Sequence, residues 1–301
     1  MFYSIHRRIL LRAASMAPLA WTMNAYACPD VASEPVETCA ALAELEHKVG
    51  GRLGVYAFDC ATGRRVQHRA RERFPFCSTS KVMVCAAVLA QSGEYPTLLT
   101  RRVIYSQADV ASANYAPVTR RHVETGMTVS ELCAAAVQHS DNAAANLLIE
   151  LIGGPSAVTA FARSIGDCEF HLDRLEPDLN TAIPGDARDT TTPEAMAASL
   201  RALVLGGSLR TGQRAQLTEW LHDSTTGSRR IRAGVPAGWR VGDKTGTGAY
   251  GTTNDVAVLW PRAGSPIVLT VYYTQAHAGE KPKECVIALA TRIALTTLGT
   301  T

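Results

Sequence analysis

Ser78-Thr79-Ser80-Lys81 sets a hydroxyl and an amine three residues apart. On a helix that spacing brings both side chains to one face. A serine becomes a nucleophile only beside a base, and a desolvated lysine of lowered pKa can serve as one. The chain holds five lysines against 25 arginines, so lysine is not its default cation. An arginine at position 81 would stay protonated and could not act as a base. The same four residues also describe an ordinary solvated helix start, and codon bias would give the same ratio. Ser140-Asp141-Asn142 offers a second hydroxyl and a carboxamide. Before an Ala-rich run these are equally the residue types of a helix N-cap. Lys244-Thr245-Gly246, followed by Thr247, could grip a carboxylate from a strand whose glycine lets a ligand approach the backbone. A glycine-marked bulge in an edge strand reads the same way.

Positioning these groups requires a sheet and a set of helices. Alternation from Leu53 to Phe58 and around Val66, with Thr62-Gly63 between, predicts two strands joined by a turn. From Thr79 to Ile152 the apolar spacing changes to 3.6, and Val129–Gln138 and Ala143–Ile152 read as helices. Gly153-Gly154-Pro155 stops the second of them. A proline- and aspartate-rich stretch from Asp173 to Asp189 has little periodicity, and a helix over Pro193–Leu205 follows it. Strands return at Arg240–Gly246, Asp255–Trp260 and Ile267–Tyr273, and Glu284–Leu298 closes the chain as an apolar helix. Strands at both ends and helices between them predict an α/β (α+β) architecture, with a sheet domain from both termini and an inserted helical domain. The boundaries fall at 28–70 and 222–301 for the sheet domain and 71–221 for the insert.

A chain of 301 residues, 47% hydrophobic and 19% charged, has material for a large core and is not intrinsically disordered. The net charge of +3 comes from Arg7, Arg8 and Arg12, and the rest balances. Nothing in that charge calls for a nucleic-acid partner or an anionic membrane. Residues 1–27 read as an export signal: a charged start, an apolar stretch from Ala13 to Trp21, and Ala25 and Ala27 as the cleavage pattern. Arg7-Arg8-Ile9-Leu10-Leu11-Arg12 resembles a twin-arginine signal, with an ordinary secretory signal as the alternative. The expected location is periplasmic or secreted, with cleavage near Ala27. Eight cysteines and eight histidines are scattered, with no CxxC, HxH or HxxxH. A metal site is not expected, and one or two disulfides are.

The three motifs in this order are the signature of class A β-lactamases and penicillin-binding proteins. Glu176-Pro177-Asp178-Leu179-Asn180 adds a fourth, and the mature chain resembles a class A serine β-lactamase over its whole length. The resemblance implies an antiparallel sheet flanked by helices, in the β-lactamase/transpeptidase-like fold. It implies Ser78 as the nucleophile, Lys81 and Glu176 sharing its activation, and Ser140 passing a proton to the departing nitrogen. Glu176 and Asn180 would hold the deacylating water. Asn142, Tyr115, Lys244, Thr245, Gly246, Thr247 and Arg230 would bind substrate, and the N–H groups of Ser78 and Thr247 would form the oxyanion hole. Arg174 and Asp189 would clasp the Glu176 loop, and Cys85 and Cys133 would be bridged.

Departures from the family pattern concern the rim of the cleft. Cys77 resembles a cysteine that is bridged in carbapenem-hydrolysing members, but Gly248 stands at the partner position, which argues against strong carbapenem hydrolysis. Ser224 replaces an asparagine common before Thr-Thr-Gly, and two extra residues precede Tyr115. The implied function is hydrolysis of penicillins and cephalosporins, conferring resistance, by a monomer without cofactor or stable membrane association. A DD-peptidase or an acylated sensor is the alternative, and Glu176 and Asn180 argue against the first.

Overall fold

In the computed structural model, residues 40–300 are described. Five strands form one antiparallel sheet: β1 (Arg52–Asp59), β2 (Arg65–His68), β3 (Arg240–Thr247), β4 (Thr253–Trp260) and β5 (Ile267–Thr274), in the order β2-β1-β5-β4-β3. The first two and last three strands come from opposite ends of the described chain, and β1 joins them by pairing with β5 from Arg52↔Thr274 to Asp59↔Ile267. The principal helices are α1 (Ala40–Val49), α2 (Lys81–Ser92), α3 (Val129–Gln138), α4 (Asn142–Leu151), α5 (Pro155–Ser164), α6 (Pro193–Leu200), α7 (Thr211–His222) and α8 (Glu284–Leu298). A wider π-type turn, Arg201–Leu205, extends α6 to the limit expected from the sequence.

Alternation along the strands feeds two cores. Leu53, Val55, Leu269 and Val271 face α1 and α8, meeting Leu42, Ile287 and Leu295. Tyr56, Val256, Val258, Val268 and Tyr272 face the other way, into the larger core with α2 to α7. Both faces of the sheet are therefore dry, the arrangement more usual for parallel sheets. Helix α2 is buried continuously from Lys81 to Leu89, so it is the central helix of the larger core, and Lys81 at its start and Ser78 in the turn before it lie in protein rather than water.

Three of these helices went unread in the sequence. Helix α7 buries only Leu217, Trp220 and Leu221, too thin a stripe to stand out in a polar segment. Helices α1 and α5 are ten residues each, and α1 likewise buries few residues. The cysteines require a correction. Cys85 and Cys133 are free buried thiols. Helices α2 and α3 do bring them together, but Cys85 directs its S–H to the Cys133 carbonyl at 3.7 Å instead of forming a bond to sulfur. Cys168, whose state the sequence left open, is disulfide-bonded. The export signal and Cys28 lie outside the described residues.

Candidate active site

The turn Cys77–Ser80 enters α2 with Cys77 in the left-handed region, φ 48°. Such a conformation survives only where its surroundings hold it. Here Asn254 on β4 donates from Nδ2 to the carbonyls of Pro75 (2.8 Å) and Phe76 (3.1 Å), and Phe76 N–H donates to Asp189 O at 3.1 Å. A side chain at Gly246 would strike the Phe76 carbonyl at 2.7 Å. The glycine expected to admit a ligand thus first admits the turn bearing Ser78 against β3. The register of β3 with β4 is unbroken, Lys244↔Val256 to Thr247↔Thr253, so the bulge reading fails.

Ser140-Asp141-Asn142 divides its work. Asp141 is the N-cap, its Oδ1 accepting from Ala144 N–H at 2.9 Å, and its carboxylate also holds Thr119. Ser140 adopts φ 58° and Asn142 begins α4. Cap and chemistry thus sit side by side on adjacent residues, so the two readings were not rivals.

These elements converge on Lys81. Its Nζ donates to Ser78 Oγ at 2.9 Å, Asn142 Oδ1 at 2.6 Å and Ser140 O at 2.8 Å, and lies 2.9 Å from Glu176 Oε1. Ser78 Oγ in turn reaches Glu176 Oε1 at 3.3 Å. Asn180 donates to the other Glu176 oxygen. Lys81 and Glu176 side chains are 1% and 0% exposed, which strengthens every interaction among them.

The opposite wall is β3. Lys244 Nζ donates to Ser140 Oγ at 2.9 Å and to Thr245 O at 2.8 Å. Burial, and then the nearby Lys81 charge, lower its pKa to about 7. Beneath it Asp243 and Asp255 are both pushed up by burial, the first opposed by its pairing with Arg232. Arg230 is buried, not solvated like its neighbour Arg229: Nη1 donates to Gly246 O and Asn254 O and Nη2 to Thr247 Oγ1, each at 2.7 Å. Tyr115 is half exposed at the rim, and its carbonyl accepts from Asn142 N–H at 2.8 Å.

The loop bearing Glu176 is fastened at both ends and in the middle. Arg174 Nε donates to Asp189 Oδ2 at 2.6 Å, and Asp189 Oδ1 accepts the N–H groups of Asp173 and Arg174. Asn146 on α4, which the sequence reading missed, brackets Glu176: its Oδ1 accepts from Glu176 N–H and its Nδ2 donates to Glu176 O, both at 2.9 Å. Its spacing of four from Asn142 on one helix face was the available signal. Cys77 is a free buried thiol whose pKa burial raises, and a Cβ on Gly248 would lie 2.7 Å from its sulfur.

A serine in contact with a buried lysine and a buried glutamate, facing a cationic strand, defines an active-site serine hydrolase. The signature of the beta-lactamase enzyme family matches residues 37–298. The chain is 50% identical over 297 residues to the carbapenem-hydrolyzing beta-lactamase KPC of Klebsiella oxytoca, covering 98% of each. It is 55% identical over 252 residues to beta-lactamase CTX-M-25 of Escherichia coli, covering 84% of this chain and 86% of that one. A crystal structure of a beta-lactamase from Desulfarculus baarsii superposes with a TM-score of 0.84 at 54% identity, over 86% of this chain and 96% of the other. The chain belongs to the β-lactamase family and is a class A enzyme.

Proposed function

We propose that this chain opens the β-lactam amide of penicillins and early cephalosporins through an acyl-enzyme on Ser78 and releases it with water activated by Glu176. The observation that carries this is the placement of Ser78 Oγ between Lys81 Nζ at 2.9 Å and Glu176 Oε1 at 3.3 Å. Asn142 Oδ1 and Ser140 O are pure acceptors that occupy two of the lysine's three N–H groups, and the third is aimed at Ser78 and Glu176. We assign the acylation base to Glu176, whose Oε1 is the carboxylate oxygen within reach of Ser78 Oγ.

The proton leaves Ser78 Oγ for Glu176 as Oγ bonds to the carbonyl carbon of the ring. The resulting oxyanion lies against the N–H groups of Ser78 and Thr247, a contribution worth about 10²- to 10³-fold per donor. When the C–N bond breaks, the nitrogen takes its proton from Ser140 Oγ; Lys81 Nζ, which donates to Ser140 Oγ, refills it and takes the proton held by Glu176, so that Glu176 is a carboxylate again before water attacks. Water then attacks the ester, giving its proton to Glu176 while Asn180 steadies that carboxylate, and Ser78 recovers its own. Lys244, Thr245, Thr247 and Arg230 supply positive charge and hydroxyls for the substrate carboxylate, and Asn142 and Tyr115 border the side-chain end. Arg174 and Asp189 keep the loop in place.

We further propose a monomer, exported by the signal at residues 1–27 to the periplasm or medium and giving resistance to β-lactams. Intact-protein mass spectrometry over time with excess benzylpenicillin tests the reaction. An adduct on Ser78 that decays while penicilloate accumulates supports it. An adduct that persists without product makes the chain an acyl trap and overturns the role of Glu176.

A further inference from the structure

Thr225 and Thr226 belong to none of the four motifs. We propose that Thr226 is a positioning residue that turns the Thr245 hydroxyl toward the substrate carboxylate, a specificity element that rests on the reading of the cleft as a β-lactam site. Thr226 Oγ1 lies 2.7 Å from Thr245 Oγ1, and this pair is partly buried. A hydroxyl carries a single proton. If Thr245 spends its proton on Thr226, it presents only lone pairs to the substrate and repels a carboxylate. If Thr226 donates to Thr245, the Thr245 proton is free for the carboxylate, and the two O–H groups form a chain that strengthens both bonds. A bound anion selects the second arrangement.

The surrounding segment holds Thr226 at that distance. After α7 ends at His222, Ser224 Oγ donates to Asp243 Oδ2 at 3.3 Å, next to Lys244. Thr225 reaches the opposite wall: its N–H and its Oγ1 donate to Gln138 O at 3.0 and 2.8 Å, at the end of α3 and two residues before Ser140. Gly227 passes so near β3 that a Cβ there would stand 2.1 Å from Asp243 Oδ2. The segment thus crosses from the Ser140 wall to the Lys244 wall, and Thr226 is its point of contact with a substrate-facing hydroxyl.

The test compares a penicillin with its methyl ester, in wild type and Thr226→Val, by stopped-flow acylation that separates Kd from the acylation rate constant. For the free acid, Thr226→Val is expected to raise Kd by about 3- to 10-fold, the range for one hydrogen bond, with the acylation rate constant and the ester's Kd unchanged. Thr226→Ser restores the acid's Kd. A variant that binds the acid as wild type does, or one that weakens acid and ester alike, overturns the proposal. A wild type that fails to prefer the acid over the ester overturns the carboxylate reading of the cleft, and the proposal with it.

Discussion

Two buried lysines flank Ser140 and donate to its hydroxyl, Lys81 at 3.4 Å and Lys244 at 2.9 Å, yet their surroundings differ. Lys81 has a carboxylate at 2.9 Å and neutral acceptors for its remaining protons. Lys244 bonds only to a hydroxyl and a carbonyl. The two acids behind it, Asp243 and Asp255, are themselves pushed toward the neutral form by burial. One side of the cleft therefore holds its lysine in a direct ion pair at rest, and on the other the lysine has no carboxylate in direct contact. In the proposed function the first side moves a proton and the second receives a substrate's carboxylate, and each is testable alone.

Ser78→Ala should have the largest effect, a loss of turnover by about 10⁶-fold, the scale seen when a serine nucleophile is removed. Because Lys81 and Glu176 keep each other as partners, the variant should fold and still bind penicillin without forming a covalent adduct. An adduct in its mass spectrum would assign the nucleophile elsewhere. Glu176→Ala comes next, with deacylation slowed by about 10²- to 10⁴-fold for loss of a general base. Acylated protein should accumulate, more slowly than in wild type. Wild-type turnover in this variant would remove Glu176 from the proton-moving side.

Asp189→Ala tests how that side is held. The buried carboxylate accepts from Arg174 Nε and two backbone N–H groups. Losing it leaves those donors unpaired, at a cost of about 3 kcal/mol. Urea unfolding should show that loss, together with slower deacylation and nearly unchanged Kd for penicillin. A fall in Kd affinity as large as the fall in deacylation would mean that the loop supports both walls.

The sequence was most informative where local chemistry and tertiary structure agree. Helix limits at Val129–Gln138 and Glu284–Leu298 coincide with the structure, because apolar spacing, caps and buried faces coincide there. The residues of the four motifs, singled out by their chemical types, come together in one cleft. The supporting residues Asn254 and Thr226 were illegible, and Asn146 had only its spacing from Asn142 to mark it. Each acts through one to three hydrogen bonds to groups 19 to 179 positions away, and asparagine or threonine has many ordinary roles. The bridge expected between Cys85 and Cys133 illustrates the converse: the approach of two helices was correct, but the sulfur chemistry was not.

The Lys244 wall gives the smallest effect and the most specific one. With a pKa of about 7, Lys244 is charged below neutrality and loses its proton as pH rises through 7. Protonation falls from about nine-tenths at pH 6 to about one-tenth at pH 8 for such a group. If the cation is what holds the carboxylate, kcat/KM for penicillin should drop by about 10-fold over that interval. A bound carboxylate supplies a negative charge in direct contact and raises the lysine's pKa, so kcat, which reports the complex, should lose less and at higher pH. Lys244→Arg should abolish this limb, because a guanidinium stays protonated throughout. A flat wild-type kcat/KM from pH 6 to 8, or an identical limb in the arginine variant, would mean that Lys244 keeps its charge. The cleft would then hold its anion through a wall more fully compensated than its hydrogen bonds imply.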